Sequence, residues 1–369
     1  MSWLDGDDDE TPYGDYDETA ARVRPNPRGT RPRSKHRPEH ADAERGRVLT
    51  VDRGRVTVLL GEDTDDEREV SAKRARELGR NSIVTGDFVD LVGDTSGAEG
   101  TLSRVVRIAE RTTLLRRSAE DTDDVERIIV ANADQMMIVV AAANPEPRAR
   151  LVDRYLVAAF DAGLDPLLVV TKADLADPTP FLAEFEVLNL DVVTSAAGEV
   201  PLAELQERLV GRTTVAVGHS GVGKSTLVNA LVPGADRAIG SVNEVTGRGR
   251  HTSSSTVSLR MRDPEGRTGW IIDTPGVRSF GLGHVQSENV LRSFAQRAIA
   301  AEPPEGEVPL VEAHDWEIVD RVRGGELGES GRRRLESLVG LLTTLDPRSQ
   351  QDWDEPDAAG TGDGTPPTS

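Results

Sequence analysis

Eight residues, Gly218-His219-Ser220-Gly221-Val222-Gly223-Lys224-Ser225, have the spacing G-x-x-x-x-G-K-[ST], directly after an apolar stretch and before the helix-like Thr226 to Leu231. The pattern suits phosphate. Glycines let backbone N–H groups wrap phosphate oxygens at a helix N-terminus, Lys224 puts a compact ammonium on the β- and γ-phosphates, and the Ser225 hydroxyl is offered to Mg2+. Arginine is too large and planar for the place of Lys224. With 35 glycines and four lysines in 369 residues, about 0.004 accidental matches are expected, so a merely structural glycine-rich turn is a weak alternative. The segment from Gly218 to Thr226 is therefore the candidate nucleotide cradle, with His219 a loop filler.

A phosphate loop does not choose a base, and a second cluster does. Thr171-Lys172-Ala173-Asp174 uses another of the four lysines and matches [NT]-K-x-D: Asp174 accepts from guanine N1–H and the exocyclic amine while the Lys172 stem covers the ring. Adenine lacks that amine and presents an acceptor at N1, so it would leave the Asp174 charge unpaired. Ser195-Ala196-Ala197 matches the S-A-x loop whose backbone N–H approaches guanine O6. Asp273-Thr274-Pro275-Gly276 matches D-x-x-G, in which the aspartate orients Mg2+ through its water and Gly276 donates its N–H to the γ-phosphate. Between these lies Gly240 to Ser255, rich in Gly, Thr, Ser and Arg, a candidate switch loop with Thr252 and Ser253 as hydroxyl ligands for Mg2+. Val277 stands where Ras-like enzymes position water with glutamine, and a valine cannot do that. The group that orients the nucleophile must come from elsewhere, and His251 in the switch loop is the candidate by type.

These motifs sit at strand ends. Apolar runs place strands at Gln135 to Val140, Leu167 to Val170, Asp191 to Val193, Thr213 to Val217, Val257 to Met261 and Trp270 to Ile272, with helices between, including Arg150 to Ala162 and Pro201 to Val210. Such alternation predicts a parallel sheet covered on both faces. Before it, Val48 to Val51, Val56 to Leu60, Phe88 to Val92 and Leu102 to Ile108 are short strands that fit a small β-barrel. After it come helix-like stretches at Ser287 to Ala298 and Ser330 to Thr344. The N-terminal 18 residues are acidic. Arg22 to Arg37 is a basic, proline-containing arm with no acid, either a solvated linker or a contact for RNA phosphates.

Net charge is -20, which disfavours a generic nucleic-acid coat and leaves locally basic surfaces for RNA. Basic residues are nearly all arginine, so the lysines Lys35, Lys73, Lys172 and Lys224 are the more informative cations. There is no cysteine, which excludes disulfides, thiol nucleophiles and cysteine-built zinc sites. Met136 to Ala143, the longest apolar run, is too short to span a bilayer, and the expectation is a cytoplasmic protein without membrane contact.

The order of the motifs is unusual: T-K-x-D and S-A-x precede the phosphate loop and D-x-x-G. In this order, and in Ala131-Asn132-Ala133-Asp134-Gln135, Asp153-Arg154-Tyr155-Leu156, Gly249-Arg250-His251-Thr252 and Pro275-Gly276-Val277-Arg278-Ser279-Phe280-Gly281-Leu282, the chain resembles the circularly permuted ribosome small subunit-dependent GTPase A family (RsgA/YjeQ). The resemblance runs from about Arg47 to about Leu345. It implies a multidomain α/β protein: a disordered acidic then basic arm over 1–45, an OB-fold RNA-binding barrel over 46–116, a permuted P-loop GTPase domain over 117–284, a helical C-terminal domain over 285–346 and a disordered tail over 347–369. It implies GTP and GDP with Mg2+ as ligands, hydrolysis stimulated by the 30S ribosomal subunit late in its maturation, contact with 16S rRNA, and His251 as the catalytic histidine. A monomer is expected. The family's C-terminal domain normally binds zinc through three cysteines and a histidine; here His314 stands alone with Glu312 and Asp315, so no zinc is expected, and packing of Leu310, Trp316, Ile318 and Val319 is one substitute. Two other readings stay open: a guanine-nucleotide-dependent rRNA-binding module with little hydrolysis, and an ATP-using P-loop enzyme.

Overall fold

The computed structural model describes residues 40–52, 54–78, 82–118, 126–235, 256–274, 324–326, 328–329, 331–333 and 335–336. The expected switch loop with His251, Thr252 and Ser253, then Gly276 and Val277, the acidic and basic arm and nearly all of the expected helical C-terminal domain lie outside these residues.

The run Gln135–Ala141 (β8) is buried along its whole length, because both of its faces are covered. Period two divides the load: Met136, Ile138 and Val140 face one core, which includes Tyr155, Leu156 and Ala159 of α1 (Ala149–Asp161). Met137, Val139 and Ala141 face the other, with Leu205 and Leu209 of α3 (Leu202–Leu209) and Leu227, Val228 and Leu231 of α4 (Lys224–Leu231). Each fully buried Leu or Val contributes roughly 1.5–3 kcal/mol relative to exposure. The other parallel strands are β9 (Asp165–Thr171), β10 (Asp191–Thr194), β11 (Thr213–Gly218) and β13 (Thr268–Asp273), in the order β10-β9-β8-β11-β13, and β12 (Val257–Arg262) adds an antiparallel strand beside β13. A short helix, α2 (Thr179–Ala183), packs through Phe181. The expected strands and helices of this half are all present.

The N-terminal strands are β1 (Glu44–Asp52), β2 (Arg55–Leu60), β3 (Arg68–Arg74), β4 (Phe88–Val92) and β5 (Ser103–Ile108). They run in the order β1-β2-β3-β5-β4, and β1 pairs again with β4, so the barrel closes on itself around Val48, Val58, Val70, Val89, Leu91 and Val105. Five strands curled into a small barrel are consistent with the OB-fold expectation. β3 was not foreseen from the sequence. A further antiparallel pair, β6 (Leu114–Ser118) and β7 (Glu126–Ala131), follows the barrel. β6 runs across residue 116, where the sequence placed the domain boundary, and β1 begins at Glu44, within the segment assigned to the arm.

Barrel and sheet share a seam. Thr50 pairs with Val257, which joins β1 to β12. The Trp270 indole donates to Glu62 Oε1 at 2.7 Å, and the Arg47 guanidinium lies 4.9 Å from the Trp270 ring and 4.7 Å from Phe88. Arg260 binds Asp63 and, at 2.6 Å, Glu67. Leu49 and Leu59 cover the indole.

Candidate functional site

The phosphate loop joins β11 to α4. Its glycines are required by geometry. A Cβ on Gly218 would lie 2.6 Å from the Val139 carbonyl oxygen, and Gly223, the residue preceding α4, has φ +91°. The helix thus begins at Lys224 with its first N–H groups turned toward the loop, the arrangement that attracts an anion. Ser225 and Thr226 are exposed in this first turn, and Val222 is buried beneath it.

The loop after β9 is tied to the phosphate loop. Thr171, at the end of β9, is buried, and its hydroxyl lies within hydrogen-bond reach of Val222 O and, at 3.1 Å, of Val140 O. Lys172 has φ +56°, an uncommon conformation for a side chain of its size. Its ammonium donates to Gly221 O at 2.8 Å and to Asn144 O, so its stem bridges the two loops. Asp174 is exposed at the rim. Its Oδ1 accepts from Ala197 N at 2.8 Å, Ala173 N donates to Ser195 O at 3.1 Å, and Ser195 N donates to Val170 O at 2.8 Å. The S-A-A loop is therefore bound to the T-K-x-D loop, and its Ala197 N–H serves to aim the carboxylate. Asn144 was missed by the sequence reading; the signal was an Asn-Pro pair closing an apolar strand.

At the end of β13, Asp273 forms an ion pair with Lys224, and Thr274 donates to Ala216 O at 2.8 Å. The D-x-x-G carboxylate and the phosphate-loop ammonium are thus in contact. Among the described site residues, those expected from Thr171 to Asp174, Ser195 to Ala197, Gly218 to Thr226 and Asp273 converge at the C-terminal ends of β9, β10, β11 and β13, where ligands of open parallel sheets bind. His251, Thr252, Ser253 and Gly276 lie outside the described residues. A hydroxyl and a carboxylate, both hard oxygen donors, beside a helix N-terminus suited to phosphate are of the type that holds Mg2+. No group of three or more His, Cys, Asp or Glu able to hold a metal ion occurs among the described residues, and no helix there is long and apolar enough to cross a membrane.

The family model described as RsgA GTPase matches residues 108–283. The small ribosomal subunit biogenesis GTPase RsgA of Pseudomonas syringae pv. tomato is 38% identical over 245 residues, which are 62% of this chain and 68% of that protein. The chain belongs to the RsgA GTPase family. The RsgA of Pseudomonas aeruginosa (strain LESB58) is 40% identical over 222 residues, covering 58% of this chain and 62% of that relative's own length. Solved structures share the fold: YjeQ from Thermotoga maritima matches with a TM-score of 0.57 at 24% identity, over 82% of this chain and 98% of that one. YloQ, described as a circularly permuted GTPase, matches at 0.57 and 22% identity, over 85% and 98%.

Two segments that carried the RsgA resemblance acquire structural roles. Asn132 donates to Gly86 O at 3.0 Å and its Oδ1 accepts from Thr112 N at 2.9 Å, so it links the barrel to the start of β8. Asp134 accepts from Thr213 N at 2.8 Å and thereby aligns β11, and with it the phosphate loop. Asp153, Tyr155 and Leu156 are buried on α1, behind the sheet.

Proposed function

We propose that this protein is a cytoplasmic GTPase that binds the 30S ribosomal subunit, contacts 16S rRNA through its barrel and basic arm, and assists late maturation of the subunit. The observation that carries the reading is the contact of the T-K-x-D loop with the phosphate loop through Thr171 and Lys172, with Asp174 aimed by Ala197. The names of the relatives, small ribosomal subunit biogenesis GTPases, support the choice of partner. In this reading the barrel of β1 to β5, from Glu44 to Ile108, is the RNA-facing part, the parallel sheet that follows is the GTPase part, and 285–346 is a helical part without zinc.

In this reading Asp174 takes guanine by N1–H and the 2-amine, and Lys172 covers the ring while remaining tied to Gly221. The backbone of Gly218 to Ser225 takes the phosphates, with Thr226 at their edge, and Lys224 exchanges Asp273 for the β- and γ-phosphates. Ser225 and Asp273, joined by Thr252 or Ser253, would hold Mg2+. When bound, the ion neutralises charge that develops on the transferred phosphoryl group. Gly276 donates to the γ-phosphate, and His251 orients the attacking water that Val277 cannot.

Phosphate release from GTP, measured with and without purified 30S subunits and with ATP as control, tests the reading. Stimulation by subunits that is specific to GTP is expected. A slow rate unchanged by subunits, despite tight guanine-nucleotide binding, favours the binding module instead. His251→Ala is expected to lower turnover by roughly 10²–10⁴-fold while nucleotide affinity is retained.

A further inference from the structure

Two of the four lysines belong to the nucleotide site, and Lys35 lies in the arm. Lys73 remains, and the strand register gives it a setting. Arg55 on β2 is directly opposite Lys73 on β3, and Lys73 is beside Arg104 on β5. All three are exposed and point outward, since their chain neighbours Val56, Ala72 and Val105 fill the barrel core. Adjacent strands are about 4.8 Å apart, so the cations form a transverse row with that spacing. No salt bridge or hydrogen bond of these three side chains is found among the described residues. The row ends at Asp52 on β1 and Val92 on β4. Beside it, Thr57 lies opposite Ser71, a row of hydroxyls on the same face.

Like charges directly opposite one another destabilise a sheet. Ordinary reasons for accepting that do not apply here. Charges protect exposed sheet edges, but β2, β3 and β5 are interior strands of a closed barrel. Charges aid solubility, but cations reduce the magnitude of a net charge of -20. Nor does the row serve the seam: Leu59, which packs on Trp270, is four residues along β2 from Arg55, about 13 Å away.

We propose that Arg55, Lys73 and Arg104 form a binding row for the phosphodiester backbone of single-stranded RNA, with Thr57 and Ser71 as hydrogen-bonding partners for sugar or phosphate oxygens. A cationic track on a barrel face follows a backbone without reading its sequence. The inference rests on the barrel being the rRNA-facing part of the molecule and names the residues and the ligand chemistry of that contact.

Binding of the full chain to a fluorescent twelve-residue oligouridylate, titrated over a range of salt concentrations, tests the row. Each phosphate contact contributes about 0.7 to the slope of log affinity against log salt for a single strand. Lys73→Gln is expected to lower the slope by about that amount, Arg55→Gln and Arg104→Gln likewise, and the triple variant by about three times as much. Arg212→Gln, which removes a cation paired with Asp165 outside the barrel, leaves the slope unchanged. Lys73→Gln also raises the melting temperature by relieving repulsion, so weaker binding cannot be ascribed to unfolding. A higher melting temperature with an unchanged slope overturns the proposal, as does competition by polyglutamate as effective as that by RNA. Phosphate release by wild type is followed separately: if 30S subunits fail to stimulate it while the slopes behave as stated, the subunit reading falls and the RNA row stands.

Discussion

Asp174 owes its aim to a backbone donor, Ala197 N, and its surroundings to a lysine held in the left-handed region. Asp174→Asn replaces two acceptors by one acceptor and one donor, which no longer match guanine N1–H and the 2-amine. GTP affinity is expected to fall by about 1.5–3 kcal/mol, roughly 10–150-fold, and xanthosine triphosphate, with a carbonyl in place of the amine, to bind better than it does to the wild type; competition titration measures both. Gly218→Ala places a methyl group 2.6 Å from the Val139 carbonyl, a backbone atom that cannot swing aside. The phosphate loop must then shift from β8, and loss of GTP binding with the barrel intact is the expected outcome, read by calorimetry and circular dichroism.

The strand that follows the proposed switch loop is held by the barrel. β12 starts at Val257, which pairs with Thr50, and Thr85 donates to the carbonyl of Thr256 at 3.1 Å. Gly86, with φ +89°, brings the barrel against β7: a Cβ there would lie 2.2 Å from the Ala131 carbonyl oxygen. Gly86→Ala is expected to destabilise the protein by about 1–3 kcal/mol, a drop of several degrees in melting temperature. On the other side of the seam, the hydrogen bond from Arg260 holds the Glu67 carboxyl below its ordinary range, assisted by the Asp63 backbone N–H. A carboxylate with a depressed folded-state pKa stabilises the fold above its unfolded value, near 4.3, and that contribution is lost as pH falls through the folded value. The melting temperature, followed as pH is lowered below about 4, should therefore fall less steeply in Glu67→Gln than in the wild type.

Barrel and GTPase sheet lie in one compact unit from Asp42 onward, joined by hydrogen bonds, ring contacts and strand pairing. A ligand that binds only the folded form stabilises it by mass action. GDP at a hundredfold excess over its dissociation constant should add about 2.7 kcal/mol, or about 5–10 °C in melting temperature, and ATP should add nothing. Because the seam adjoins β12 and β13, the whole described unit should shift in one transition; separate transitions for barrel and sheet would show that the seam does not couple them.

The motifs that converge at the candidate site were legible because each is a short run at one strand end, where local chemistry dictates residue type. The parallel strands were legible because burial on two faces demands unbroken apolar runs such as Met136 to Ala141. β3 was not: Arg68–Arg74 has one covered face and offers only Val70 and Ala72 as buried residues, too little pattern to separate it from a loop. Asn144 and the Thr171 contact with Val222 depended on which loops the sheet order brings together. The seam was invisible for the same reason. Arg47, Glu62, Glu67, Arg260 and Trp270 are separated by up to about two hundred residues and have unremarkable local contexts. Sequence determined the motifs and the residue types they offer, which are local; tertiary structure alone decided the partners, because charge pairing and ring contact depend on distance in space and not along the chain.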